Sequence, residues 1–188
     1  MKLIIGEGRT ILKSITVELT EDNTRYVLHA LRTFKEKCQR IIQNENRTED
    51  DEFFYANDIM HVALVQKEIK EMAVSTFGKQ ILNCGHETLK SPISYVLAEV
   101  RQDQGEMKSI TVELTDGDTN HLLHAVRELE AEYQHIVNGK MSDKEDQAFY
   151  THDLMQAKLV HDKIRKLAID TFGYDILNFS HELLSDLL

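Results

Sequence analysis

Residues Ser14 to Thr20 read SITVELT, and at an offset of 95 positions Ser109 to Thr115 read SITVELT again. Within each stretch Ile15, Val17 and Leu19, or Ile110, Val112 and Leu114, alternate with Thr and Glu. That period of two predicts a strand with one buried and one exposed face. Around this pair, residues 14–89 align without a gap on residues 109–184, with 32 identities in 76 positions. Thr76, Phe77 and Gly78 return as Thr171, Phe172 and Gly173, and Ile81, Leu82 and Asn83 as Ile176, Leu177 and Asn178. Self-similarity at a fixed offset is the signature of a repeat. The chain therefore reads as a tandem duplication, with unit one over residues 1–90 and unit two over residues 91–188. The expected arrangement is one pseudo-symmetric body about a two-fold axis inherited from a homodimer.

Each unit is expected to be ββαα, a β-hairpin followed by an antiparallel helix hairpin, which makes the fold a helix-rich α+β one. The hairpin's first strand is assigned to Lys2 to Ile5 in unit one and Ile93 to Val100 in unit two, each followed by a polar turn with glycine. Val27, Leu28, Leu31, Phe34, Cys38, Ile41 and Ile42 share one helical face between Asn23 and Gln43. Leu122, Leu123, Val126, Leu129, Tyr133, Ile136 and Val137 repeat it. After short breaks, Thr48 with Asp51 and Ser142 with Glu145 resemble capping boxes. The second helix then runs through Phe54, Val62, Val65, Ile69, Met72 and Ala73 to Phe77, with Gly78 and Gly173 placed as C-terminal caps. A final short helix or turn is expected over residues 79–89 and 174–184. The two identical strands are expected to meet at the two-fold axis through cross-strand Thr pairs, with a ligand groove as the alternative account of the repeated polar face.

Composition narrows the function. The 188 residues carry 22 Lys and Arg against 32 Asp and Glu, a formal charge of -10, so direct nucleic-acid or anionic-membrane binding is not expected. Residues 14–89 hold 13 acidic and 9 basic side chains and residues 109–184 hold 14 and 7, net -4 and -7. Apolar residues make up 41%, enough for a core, and no run approaches the roughly 20 apolar residues of a membrane span. The run from Met1 to Ile5 stops at Gly6, too short for a signal peptide. Two cysteines, Cys38 and Cys84, suit a reducing compartment, and a cytoplasmic protein is expected. They align with Tyr133 and Phe179, so burial explains them better than catalysis.

Polar residues that kept their identity in both units are the candidate site residues. Asp58 and Asp153 fall within the apolar face of the second helix, so each needs a hydrogen-bond donor, for which Tyr55, His86, a Thr or an Arg are candidates. A buried structural carboxylate is the expected role. His29 with Arg32 and His124 with Arg127 repeat as His-x-x-Arg away from the apolar face of the first helix. They could form a solvated face, a contact between units or protomers, or a site for a protein partner or an anionic ligand. Asn83, His86 and Glu87 recur as Asn178, His181 and Glu182, a weak metal signal without further ligands. Most remaining histidines, His121 and His161 among them, read as surface choices.

No nucleophile elbow, phosphate loop, dinucleotide fingerprint or zinc motif is present. The expectation is a non-enzymatic interaction protein, without cofactor or metal, that binds and regulates or inhibits a protein partner through its helical faces. Composition suits an accessory protein of a bacterium, phage or plasmid. One alternative is a binder of nucleotides or other small anions with twin sites at His29, Arg32, His124 and Arg127. Another is metal-assisted hydrolysis by Asp58, His86 and Glu87. Self-association is a further possibility, because Leu183, Leu184, Leu187 and Leu188 end the sequence with little polar cover.

Overall fold

The computed structural model describes residues 13–44, 47–83, 108–139 and 144–178. Strand β1 (Ser14–Thr20) leads directly into helix α1 (Glu21–Ile42), followed by α2 (Glu49–Phe77) and the 3-10 turn η1 (Lys79–Leu82). The order then recurs as β2 (Ser109–Thr115), α3 (Asp116–Asn138), α4 (Lys144–Phe172) and η2 (Tyr174–Leu177). The fold is helix-rich α+β, four α-helices with a two-stranded antiparallel sheet. The hairpin strands expected at Lys2 to Ile5 and Ile93 to Val100 lie outside the described residues, as do Ser142, His86, Glu87 and the leucines near position 188. Among the described residues each half is strand, helix, helix and 3-10 turn.

The strands of the two halves pair with each other. Val17 lies opposite Val112 at the centre of the register, and Ser14 and Thr20 lie opposite Thr115 and Ser109 at its ends. The inward residues Ile15, Val17, Leu19, Ile110, Val112 and Leu114 are all buried. The expected Thr pairs do not form. An axis through the Val17 and Val112 pair sets Thr16 opposite Glu113 and Glu18 opposite Thr111. The serines complete this pattern, with Ser14 Oγ donating to Glu113 at 2.5 Å and Ser109 Oγ donating to Glu18 at 2.6 Å.

The last strand residue starts the helix. Thr20 Oγ1 accepts from the Asn23 amide, and Thr115 forms a reciprocal capping box with Asp118, which satisfies amides that a helix N-terminus leaves without partners. Thr24 and Thr119, fully buried, return their hydroxyls to the carbonyls of Thr20 and Thr115 at 2.7 and 2.6 Å. Val27, Leu28, Leu31, Phe34 and Cys38 are buried on α1 as their spacing predicts. On α2 the core stripe runs Tyr55, Asp58, Val62, Val65, Ile69, Ala73 and Phe77. Phe54, expected on that stripe, is 45% exposed, and its neighbour Tyr55 is buried instead. Its counterpart Phe149 is buried. Gly78 and Gly173 end α2 and α4, both at φ +88°, with ψ near 180° rather than the left-handed helical value of the expected cap. Only glycine adopts that backbone readily, and it turns the chain into the 3-10 segments.

Short connections fold α1 back on α2 and α3 back on α4 as antiparallel hairpins. Helix α1 also packs on α3, while α2 contacts α3 and α4 contacts α1. The long helices α2 and α4 therefore lie on opposite sides of the α1 and α3 pair. Each strand rests on the other half's long helix, β1 on α4 and β2 on α2.

Candidate functional site

Asp58 and Asp153 occupy the core stripes of α2 and α4, 8% and 2% exposed, where an unpaired carboxylate costs several kcal/mol. Each takes a partner from the other half. Tyr26 of α1 donates its hydroxyl to Asp153 at 2.6 Å, and His121 of α3 meets Asp58 at 3.2 Å through Nε2. Positions 26 and 121 are equivalent, so each half supplies the donor for the other half's buried acid. The expectation that His121 is a surface residue is corrected: it is held at both ring nitrogens, with Nδ1 2.7 Å from the Gly117 carbonyl, and stacks on His61 at 4.8 Å. His161 likewise meets Glu130 at 2.9 Å.

The electrostatics follow from this crossing. Burial and the hydrogen bond to Asp153 push the Tyr26 hydroxyl far above the ordinary tyrosine value, so it remains a donor. Burial draws His121 toward the neutral form, but Asp58 at one nitrogen and the Gly117 carbonyl at the other outweigh it and raise its pKa. Only imidazolium offers donors at both positions. Cys38 is pushed up to about 12, first by burial and then by the Asp58 carboxylate, so its thiol stays protonated and is no nucleophile at neutral pH.

Three residues of the His-x-x-Arg pairs sit where the halves meet. His29 on α1 stacks against Tyr133 on α3 at 6.3 Å, and Arg32 Nη2 is 3.0 Å from His29 Nδ1. His124, only 8% exposed, lies 4.8 Å from the Phe34 ring and 3.7 Å from a Glu128 oxygen. Glu128 also pairs with Lys37 across the same seam. Arg127 is exposed. The structure thus brings His29, Arg32 and His124 into the contact between α1 and α3, and leaves Arg127 at the surface. Tyr133 and Cys38, the aligned pair of residues from the two halves, are both buried, and Tyr133 packs at this seam. Among the described residues, no group of three or more His, Cys, Asp or Glu side chains is arranged to hold a metal ion.

A second feature lies on the outside. Met60 and Leu64 on α2 are 55% and 61% exposed, and their equivalents Met155 and Leu159 on α4 are 52% and 56% exposed. Spacing of four residues stacks each pair on one helix face. Phe53, 73% exposed, extends the α2 stripe. Counted along a helical wheel, these residues merge with the apolar complement of α2, and only the position of the core separates the two stripes. The sequence signal is the identity of Met60 and Leu64 with Met155 and Leu159 at the offset of 95.

No protein-family model matches the chain, and no curated protein or solved structure matches it. Among the described residues, no helix is long and apolar enough to cross a membrane.

Proposed function

We propose that the chain is a non-enzymatic interaction protein that binds a protein partner through the outer faces of α2 and α4. It regulates or inhibits that partner by occupying its surface. The observation that carries this reading is the pair of exposed Met and Leu residues that both long helices present at equivalent positions. Methionine and leucine at one-turn spacing suit the apolar face of an amphipathic helix, and methionine adapts to its shape. The duplicated unit, residues 1–90 and 91–188 in this reading, makes the chain bivalent, with one patch on each side of the α1 and α3 pair. Self-association through such patches would leave a free patch on each added chain unless the chains closed into a ring. A different protein, two copies per chain, fits better.

The crossing of Tyr26 with Asp153 and of His121 with Asp58 supports a structural role for the buried acids and a framing role for His29, Arg32 and His124. The test compares partner capture by the wild type with that by M60E/L64E, M155E/L159E and the quadruple variant, with native mass spectrometry for stoichiometry. Each double variant is expected to lose one of two partner copies and the quadruple variant both, at an unchanged melting temperature. Undiminished capture by the quadruple variant would contradict the reading.

A further inference from the structure

The two edges of the sheet are not treated alike. On β1, Lys163 of α4 donates its ammonium to the backbone carbonyl of Glu18, so that carbonyl faces away from β2. A lysine over an edge strand is a common device for blocking further strand pairing. On β2 the equivalent of Lys163 is Glu68, which has no proton to donate. Glu113 is the equivalent of Glu18 in a register symmetric about Val17 and Val112, so its carbonyl also faces outward. Among the described residues, an open groove of about 390 Å³ runs between Ser109 to Thr111 of β2 and Glu71, Met72 and Ser75 of α2. Glu71 lines the groove and Glu68 lies one helical turn away, both exposed.

We infer that the outer edge of β2, with the flank of α2, is a docking groove for an extended segment of a partner protein that alternates basic and β-branched residues. This deepens the reading of the chain as an interaction protein, but it stands on a different surface from the Met and Leu pairs. Backbone groups turned outward from Thr111 and Glu113 supply strand pairing, as in other β-additions. The two faces of the incoming strand meet different surroundings, which fixes its pattern. Side chains on the side of Ile110 and Met72 meet an apolar wall and suit valine. Side chains on the side of Thr111 and Glu113 meet exposed hydroxyl and carboxylate groups and suit lysine or arginine. Opposite charges across the groove also make the contact sensitive to salt.

The chain's own asymmetry supplies the test. An acetylated hexapeptide of alternating Lys and Val is titrated into the full chain by calorimetry at low and high salt, alongside E68K and K163E. Sedimentation checks for self-association. The wild type is expected to take one peptide, more weakly at high salt. E68K places a lysine over the β2 edge and is expected to weaken binding about tenfold or more, equivalent to at least 1.4 kcal/mol. K163E removes the lysine from the β1 edge and is expected to raise the stoichiometry to two. No binding to a monomeric wild-type chain would overturn the inference and assign the edge to another part of this chain. A wild-type dimer that E68K converts to monomer would overturn it in favour of a second copy. If peptide binding follows this pattern while the quadruple Met and Leu variant still captures partner, the helix-face reading fails and the groove remains. The reverse pattern removes the groove alone.

Discussion

Tyr26 and His121 hold the two buried acids from across the molecule, and their different chemistry separates the two ends. Removing the Tyr26 hydroxyl leaves the Asp153 carboxylate without its short donor in a nearly closed site. Tyr26→Phe is therefore expected to lower stability by about 1–3 kcal/mol, read from urea unfolding. A loss below a few tenths would show that the contact holds nothing. At the other end, His121 has a raised pKa in the folded chain and an ordinary value of 6.5 when unfolded. Its stabilisation is complete below the unfolded value and is lost as pH rises through the folded one. The wild type is expected to lose more stability from mildly acidic to alkaline pH than His121→Tyr, which copies the Tyr26 position. Equal slopes in melting experiments across that range would remove His121 from the account. Asp58 and Asp153 were legible in the sequence as out of place on an apolar face. Their partners were not, because a hydrogen bond between residues 26 and 153 has no local pattern.

The elements were easier to read than their contacts. Helix α1 carries one continuous buried apolar face, so periodicity places it within two residues of its bounds. Helix α2 carries apolar residues on two sides, and there the sequence misplaced Phe54 while passing over Met60 and Leu64. The strands declared their mutual pairing through identical polar faces, yet the pairing chemistry is Thr with Glu, since a two-fold axis reverses the order of residues. Gly78 and Gly173 were legible as helix stops, though the backbone they adopt is one that side chains avoid. Gly173 is the cleaner test, because a Cβ there meets nothing within 4 Å, whereas at Gly78 it meets the end of the Gln80 side chain at 2.5 Å. Gly173→Ala is expected to cost about 1–3 kcal/mol from backbone strain alone. A change within a few tenths of a kcal/mol, measured by denaturant titration, would mean that the turn relaxes freely.

At the scale of the whole molecule, the halves complete each other. Strand pairs with strand, each strand rests on the opposite long helix, and each buried acid takes its donor from the other half. The identities at an offset of 95 match residues of one half to those of the other, but periodicity within a half carries no information about which surface meets which. That is why His29 and His124, which lie on the polar side of their own helices, were open to several readings and prove to lie at the seam between α1 and α3. Among the described residues, interlocking also leaves Met60, Leu64, Met155 and Leu159 on α2 and α4 exposed for the role proposed for them. Cooperative unfolding follows, because neither half retains a complete core when the other opens. Native-state hydrogen exchange through a low-denaturant series tests this most directly, on the wild type and Tyr26→Phe. The account predicts that the slowest amides of all four helices converge on one opening free energy and that Tyr26→Phe lowers them together. Separate opening of residues 14–83 and 109–178, with the variant affecting one set alone, would contradict it.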